Sequence, residues 1–244
     1  MEKKFGLLGH KISYSFSQKY FIKKFNKLGL NNYSYKIFDI SSLEKIKLFL
    51  IENKLNGLNV TIPYKESIIP FLDDLTPDAK KVKAINCINF IKKKKIGYNT
   101  DIIGFKKSLL PLLKKHHDKA IILGDGGAAK AVSYVLKELD IKYLIFSRKG
   151  KYKFEYLTKE HFDKYYIWIQ TTPVGTFPNY NDILPIPTQF FNSKHLVYDL
   201  IYNPIKTKLL REAEKNSSII KNGLEMLYLQ AESSFNIWEN KFIY

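Results

Sequence analysis

Short apolar segments alternate with longer amphipathic segments along most of the chain. Segments rich in Ile, Val, Leu, Phe and Tyr predict β-strands at 4–8, 33–38, 57–60, 85–91, 120–123, 143–146, 166–169, 196–200 and 218–221. Segments with apolar residues at helical spacing predict helices at 17–28, 42–53, 100–115, 128–139, 205–215 and 224–239. The second of these helices carries an apolar stripe formed by Leu43, Ile46, Leu50 and Ile51. This alternation predicts α/β units with parallel sheets.

Three local features refine this pattern. Pro111 lies inside the helix predicted at 100–115, which bridges the two halves, and should kink it or end its first part. The lysines at 92–95 lie between Ile91 and Ile96, as in the tip of a hairpin. The segment from 149 to 166 is short for a complete strand–helix unit, so we expect a trimmed second half.

A glycine-rich segment follows the predicted strand at 120–123 and leads into a helix. Gly124, Gly126 and Ala129 occupy the three positions of the G-x-G-x-x-G/A pattern. The first glycine permits a tight turn, the second lets the backbone approach a pyrophosphate, and the small third residue allows close packing of helix on strand. Gly127 and Ala128 complete the turn, and the helix N-terminus offers N–H groups to phosphates. The segment predicts a dinucleotide site.

The next predicted strand ends in Ser147, Arg148 and Lys149. Sites that prefer NAD carry an Asp or Glu at this point, where it accepts a hydrogen bond from the ribose 2′-hydroxyl. Here no acid follows until Glu155, and a cationic pair suits a 2′-phosphate. We therefore expect NADP(H) as the cofactor, with an ordinary charged loop as the alternative.

Candidate chemical groups also follow a strand in the first half of the chain. Thr61 and Lys65 lie beyond the carboxyl end of the strand at 57–60, where α/β sheets place ligands. Asp101 lies just before a long predicted helix. Reduction of a ketone needs a hydride and a proton, and a lysine oriented by a carboxylate can donate the proton. Their spacing alone does not distinguish such a pair from ordinary surface residues.

Composition excludes several classes of protein. The chain has 244 residues, 45% of them hydrophobic, which is enough to bury a sizeable core in one or two domains. No apolar run approaches the ~20 residues that span a bilayer, and the apolar stretch at 5–8 is too short for a secretory signal. A single cysteine, Cys87, fits a reducing compartment, and no Cys/His spacing indicates a metal site. We expect a cytoplasmic protein without a metal or a membrane partner.

The net charge of +17 raises the possibility of a polyanion partner. Only two of the 40 cationic residues are arginines, Arg148 and Arg211, and arginine is the favoured residue for reading phosphate and guanine. The surplus of lysine therefore favours a solvated surface and no nucleic-acid partner.

Several segments, in order along almost the whole chain, resemble motifs of the shikimate dehydrogenase family. The stretch at 57–65 resembles its N-V-T-x-P-Y-K segment, and 97–104 resembles its G-x-N-T-D-x-x-G segment. Shorter similarities lie at 9–17 (G-x-P-I-x-H-S-x-S), 84–87 (A-V-N-T), 197–204 (V-Y-D-x-x-Y-x-P) and 222–230 (N-G-x-x-M-L-x-x-Q).

The resemblance implies a role for each matching residue. Lys65 and Asp101 would be the catalytic pair, with Lys65 protonating the C3 oxygen and Asp101 orienting it. Residues implied to bind the substrate carboxylate are Ser15, Ser17 and Tyr202, and those implied to bind ring hydroxyls are Thr61, Asn86 and Gln230. Gly223 would approach the nicotinamide. The implied reaction is the reversible, NADPH-dependent reduction of 3-dehydroshikimate to shikimate in chorismate and aromatic amino-acid biosynthesis.

Structural alternatives stay open for some of these residues. Thr61 could cap a helix that starts near Lys65, and Ser15 and Ser17 could be N-cap residues. Tyr202 and Met226 could be core residues. The chain also departs from the family pattern at Tyr14, Gln18, Cys87 and Gln170, and at Ser147 and Lys149, which stand where the family has N-R-T.

Together, these features predict a two-domain α/β protein with a cleft between its domains. Residues 1–100 would form the substrate-binding domain, with the C-terminal helix at 224–244 packing back onto it. Residues 101–223 would form a Rossmann-type NADP-binding domain. The rival functions are a quinate/shikimate dehydrogenase with relaxed cofactor use, and a basic nucleotide-binding protein that has lost catalysis. The oligomeric state stays open, with a homodimer as one alternative.

Overall fold

The computed structural model describes residues 2–13 and 15–241, which form two units. The first unit is Met1–Thr100 with Ala231–Tyr244, and the second is Asp101–Gln230. Within the described residues, every helix is too short or too polar to cross a membrane.

The first unit contains a six-stranded mixed sheet. Its strands are β1 (Lys3–Gly9), β2 (Tyr33–Asp39), β3 (Gly57–Val60), β4 (Asp74–Leu75), β5 (Cys87–Ile91) and β6 (Lys94–Tyr98). Its helices are α1 (Ser17–Lys27), α2 (Leu43–Glu52) and α3 (Pro77–Val82). The strand order is β2-β1-β3-β5-β6-β4, in which β2, β1 and β3 are parallel and β5 is antiparallel to β3 and β6.

The strand–helix alternation predicts parallel sheets, but this sheet also contains antiparallel pairs. A tight hairpin is the reason. Lys92 and Lys93 form a two-residue turn between β5 and β6, with φ of 47° and 70°. A turn of this length joins antiparallel neighbours, whereas parallel neighbours need a crossover. The expected hairpin is confirmed, with its turn at Lys92 and Lys93, and its antiparallel pair makes the sheet of this unit mixed.

Aromatic side chains fill one side of the first unit's core. Phe21 stacks on Tyr35 with ring centroids 4.4 Å apart, and Phe5 stacks on Trp238 at 4.9 Å. Gly57 faces the same indole, since a Cβ there would lie 2.3 Å from Trp238 Cδ1. The approach of Trp238 to β3 therefore requires glycine at position 57.

The second unit contains a five-stranded sheet that is parallel throughout. Its strands are β7 (Lys119–Leu123), β8 (Lys142–Phe146), β9 (Ile167–Gln170), β10 (Leu196–Asp199) and β11 (Ile219–Lys221), in the order β11-β10-β9-β7-β8. Its helices are α4 (Asp101–Leu109), α5 (Gly127–Glu138), α6 (Lys159–Lys164), α7 (Lys208–Lys215) and the first part of α8 (Leu224–Trp238). This doubly wound arrangement confirms the predicted Rossmann-type fold.

The order of the strands marks one position at which ligands bind. The chain runs from β7 to β8 on one side and then returns to β9 on the other, so the winding reverses beside β7. Open α/β sheets bind ligands outside the carboxyl ends of the strands at such a point. The glycine-rich turn after β7 and the segment after β9 both lie there.

Two boundaries show how local sequence shaped the second unit. Pro111 lies in a 3₁₀ turn, Leu110–Leu112, directly after α4 ends, which confirms the predicted interruption. Between β8 and β9 the chain forms only a 3₁₀ turn (Phe154–Tyr156) and the six-residue α6, which fits the trimmed segment expected there. Phe162 of α6 stacks on Trp168 at 4.0 Å and so anchors this short helix to the core.

Candidate active site and cofactor site

Loops at the carboxyl edge of β1, β2 and β3 carry the candidate substrate residues of the first unit. Asp39 ends β2 and accepts hydrogen bonds from the backbone N–H groups of Lys11 (3.0 Å) and Ile12 (3.3 Å), with His10 Nδ1 at 3.0 Å from the same carboxylate. These contacts fasten the loop after β1, which continues to Ser15 and Ser17. Tyr14 lies outside the described residues.

Ser15 and Ser17 lie at the beginning of α1. Ser17 is the first residue of the helix and Phe16 is its N-cap, with no side-chain capping bond, so Ser17 is not the N-cap residue. The Ser15 hydroxyl accepts the N–H of Ser17 at 3.3 Å. Two hydroxyls at a helix N-terminus suit a bound carboxylate, because the N–H groups and the helix dipole favour negative charge.

Thr61 and Lys65 lie in a turn after β3. No α-helix starts at Lys65; the chain continues in turns to a 3₁₀ helix at Ile69–Phe71, so the helix-capping alternative for Thr61 is wrong. The backbone carbonyl of Lys65 accepts the N–H of Ile85 at 2.6 Å. The Thr61 N–H donates to Leu8 O at 2.9 Å, which ties the turn to β1.

Asn86 lies at the centre of a buried polar network. Its Oδ1 accepts the N–H of Thr100 at 2.6 Å and its Nδ2 donates to Thr100 Oγ1 at 2.9 Å. Asn59 donates to the Asn86 carbonyl at 3.1 Å and to Ser234 Oγ at 2.9 Å, and accepts from Tyr35 at 2.9 Å. Asn86 is 3% exposed and Thr100 is fully buried. The network therefore holds Thr100, the residue that precedes Asp101.

Thr100, Asn59 and Ser234 are residues that the sequence reasoning missed. Asn59 could have been found as a polar residue inside an apolar strand, since a buried amide needs partners. Ser234 is separated from Asn59 by 175 positions, and no local pattern indicates that pairing.

Asp101 begins α4 in the second unit and is 5% exposed. One turn further on, Gly104 faces α8, because a Cβ there would lie 2.7 Å from the carbonyl oxygen of Met226 and 3.2 Å from Gln230 Cβ. Gln230 donates to Leu227 O at 3.0 Å. Met226 is buried, which supports the core interpretation for it, whereas Tyr202 is partly exposed.

The glycine-rich turn has the geometry that a dinucleotide needs. Gly124 has φ of +114°, and a Cβ there would lie 2.5 Å from Thr171 Oγ1, so both conformation and contact require glycine. Gly126 is the N-cap of α5, has no side-chain capping bond, and has open space where a Cβ would project. Ala129 is buried against the sheet. Among the described residues, no side chain caps this helix N-terminus, which fits a pyrophosphate there.

The carboxylate of Asp125 lies at the ends of β7 and β8, next to the segment that was expected to bind the 2′-phosphate. Leu123 and Phe146 pair across β7 and β8, so the residues that follow the two strands share one edge. There the Ser147 hydroxyl donates to Asp125 Oδ2 at 2.7 Å and accepts the N–H of Gly150 at 2.8 Å. No acid follows Ser147 in the sequence until Glu155, but the structure brings the Asp125 carboxylate to Ser147 from the neighbouring loop.

Gly223 lies just before α8, where the backbone passes very close to the residue that follows β10. A Cβ there would lie 1.9 Å from the carbonyl oxygen of Leu200, and the Gly223 N–H donates to Ile201 O at 3.0 Å. Glycine at this position is thus required by the fold of the second unit, and any role beside a nicotinamide would be additional.

Asp199 forms hydrogen bonds that connect the end of β9 with the loop that follows β10. Its carboxylate accepts hydrogen bonds from Thr207 Oγ1 (2.6 Å), Gln170 Nε2 (2.9 Å) and the N–H of Ile201 (3.0 Å). Burial raises the pKa of Asp199 to about 7, although the three donors favour the charged form. Asp199 therefore orders the segment that leads to Tyr202.

The raised pKa predicts a dependence of stability on pH. An acid whose pKa is about 7 in the folded protein and about 3.9 when unfolded stabilises the fold below pH ~4, and this contribution is lost as pH rises through 7. The difference in unfolding free energy between wild type and Asp199→Asn should fall by as much as ~4 kcal/mol from pH 4 to pH 8. Urea unfolding of both proteins across this range measures it, and parallel curves would show that Asp199 stays ionised in the folded state.

Comparisons with known proteins cover nearly the whole chain. The family model for the shikimate dehydrogenase substrate binding domain matches residues 7–88. A shikimate dehydrogenase (NADP(+)) of Clostridium botulinum strain 657 is 38% identical over 248 aligned residues, which cover 96% of this chain and 95% of the relative.

Solved structures give the same result for the fold. A shikimate dehydrogenase crystallised with NADP+ is 32% identical with a TM-score of 0.87, covering 98% of this chain and 90% of its own. The enzyme from Thermus thermophilus, solved with NADP(H) and shikimate, is 27% identical with a TM-score of 0.86, covering 98% and 94%.

Proposed function

This chain belongs to the shikimate dehydrogenase family, and we propose that it catalyses the reversible reduction of 3-dehydroshikimate to shikimate with NADPH. The reaction would serve the biosynthesis of chorismate and aromatic amino acids. The free thiol of Cys87 is buried, which fits a reducing compartment such as the cytoplasm.

One observation in the first unit carries this proposal. The neighbouring residues Ile85 and Asn86 hold the backbones of both motif segments: the Ile85 N–H binds Lys65 O, and the Asn86 side chain binds Thr100. Asp101 follows Thr100 directly. A buried pair of neighbouring residues thus orders both segments that carry the candidate acid–base groups, which is the preorganisation that proton transfer needs.

The proposed chemistry assigns the proton to Lys65. When bound, NADPH would supply the hydride. As the C3 carbonyl gains negative charge, Lys65 Nζ donates a proton to its oxygen, and Asp101 orients the ammonium group and a ring hydroxyl. In the reverse direction Lys65 accepts that proton.

The remaining candidates would bind the substrate. Ser15, Ser17 and Tyr202 would hold the carboxylate, the two serines through the N-terminus of α1. Thr61 and Gln230 would hold ring hydroxyls. We assign Asn86 first to holding Thr100, because its amide already bonds that residue and is almost fully buried, and a hydroxyl contact would be additional.

The cofactor would lie along the carboxyl edge of the second unit. The turn at 124–129 would hold the pyrophosphate at the N-terminus of α5, and Arg148 and Lys149 would bind the 2′-phosphate. We therefore propose that residues 1–100 form the substrate-binding domain and 101–223 the NADP-binding domain. We assign the end of α8 to the first domain, since Trp238 packs on Phe5.

A spectrophotometric assay with the purified full chain tests the proposal. We expect reduction of NADP+ with shikimate at a substantially higher kcat/KM than with quinate. Higher activity with quinate would identify a quinate/shikimate dehydrogenase. No turnover of either substrate, by protein that binds NADP+, would contradict the proposal and favour a nucleotide-binding protein that has lost catalysis.

A further inference from the structure

The carboxylate of Asp125 lies at the edge that would receive the adenosine ribose. It is exposed, it lies in the glycine-rich turn, and its Oδ2 is 2.7 Å from the hydroxyl oxygen of Ser147. Ser147 itself is 2% exposed and immediately precedes Arg148 and Lys149. The loop after β7 therefore places the Asp125 carboxylate next to the segment that carries Arg148 and Lys149.

The hydrogen bonds of Ser147 leave it no proton for a phosphate. A serine hydroxyl has one proton to donate, and Ser147 donates it to Asp125. Its oxygen accepts the N–H of Gly150 at 2.8 Å. A 2′-phosphate offers mainly acceptors at neutral pH, so Ser147 cannot contribute a donor to it while its proton is donated to Asp125. Of residues 147–149, Arg148 and Lys149 keep side-chain donors for such a phosphate.

The two cofactors would meet Asp125 differently. A 2′-phosphate carries negative charge and is repelled by a nearby carboxylate, which offsets part of the attraction of Arg148 and Lys149. A ribose 2′-hydroxyl can instead donate a hydrogen bond to a carboxylate, which is how NAD-preferring sites recognise it. An acid that arrives from the glycine-rich turn can perform this role as well as one that follows the second strand.

We propose that Asp125 is a specificity-determining residue that weakens the preference for NADP over NAD and allows this chain to use both cofactors. This rests on the proposed function of the second unit as a dinucleotide-binding domain. Arg148 and Asp125 act in opposite directions on the same 2′-group, and their balance sets the ratio of kcat/KM for the two cofactors.

The variant Asp125→Asn tests this, because the amide keeps an oxygen that can accept the Ser147 proton and removes only the charge. We expect kcat/KM for NADP+ to rise about 5-fold, the effect of removing one of two like unit charges ~4 Å apart in water. For NAD+ it should stay equal or fall. The matched control is Glu155→Gln, an exposed acid on the following turn, which changes the net charge equally and should leave both values unchanged.

Ligand binding gives a second measurement that does not depend on turnover. Calorimetry with adenosine 2′,5′-bisphosphate and with 5′-AMP should show that Asp125→Asn tightens only the former, and that this gain shrinks at high salt. Two results would overturn the inference. Weaker binding of the bisphosphate in Asp125→Asn would show that Asp125 serves to order the 147–150 turn. An unchanged ratio of the two affinities would show that Asp125 does not face the 2′-group.

Neither result would contradict the proposed function, which turnover of shikimate with NADP+ by the wild type tests separately.

Discussion

Lys65→Ala is expected to lower kcat by about 10²–10⁴-fold, the usual loss when a positioned proton donor is removed. KM for shikimate should change much less, because ground-state binding is distributed over hydroxyl and carboxylate contacts that do not involve Lys65. Steady-state kinetics at saturating NADP+ measure both constants.

The fold should survive this change, since the bond between Lys65 O and the Ile85 N–H uses only the backbone. Lys54→Ala is the matched control: Lys54 is an exposed lysine of the same unit, and its loss should leave kcat unchanged. If Lys65→Ala keeps more than about a tenth of wild-type kcat with an unchanged melting temperature, another group donates the proton.

Arg148→Ala is expected to lower kcat/KM for NADP+ by about 10–150-fold, because charged hydrogen bonds of this kind contribute roughly 1.5–3 kcal/mol. A guanidinium binds phosphate through two parallel hydrogen bonds and can stack on adenine, which Lys149 cannot reproduce. The kcat/KM for NAD+, which has no 2′-phosphate, should stay nearly the same. Kinetics with both cofactors on both proteins measure this selectivity.

The chain provides a control in its second arginine. Arg211 lies on α7 and donates to Lys206 O at 3.0 Å, and Arg211→Ala removes the same charge at another position. It should not change the ratio between the cofactors. Equal losses for NAD+ and NADP+ in Arg148→Ala would mean that Arg148 supports the fold of the second unit and does not bind the 2′-phosphate.

Several features of the fold were predictable because they depend on neighbouring residues. The glycines at 124 and 126 follow a short apolar strand and precede an amphipathic helix, and the turn forms there. Pro111 cannot continue a helix, so α4 ends before it. A two-residue turn sets the hairpin at Lys92 and Lys93.

The shortest helices and strands were not predicted from the sequence, because they contain too few residues to show a repeating pattern of apolar positions. α3 and α6 have six residues each, fewer than two full helical turns, and β4 has two. They form because their apolar residues pack on an existing core, as Phe162 does on Trp168. Lys94 and Lys95 were assigned to the tip of the predicted hairpin, but they begin β6, where they pair with Ile91 and Phe90 of β5.

What the sequence determined by itself is the class of fold, the positions of the strand ends and the types of chemical group that follow them. Only the tertiary structure decided which of those groups form hydrogen bonds with one another. Asp125 and Ser147 are 22 positions apart, and Asn59 and Ser234 are 175 apart. The physical reason is that secondary structure follows from periodic, local preferences, whereas hydrogen bonds between loops depend on strand order and register, which the whole core sets.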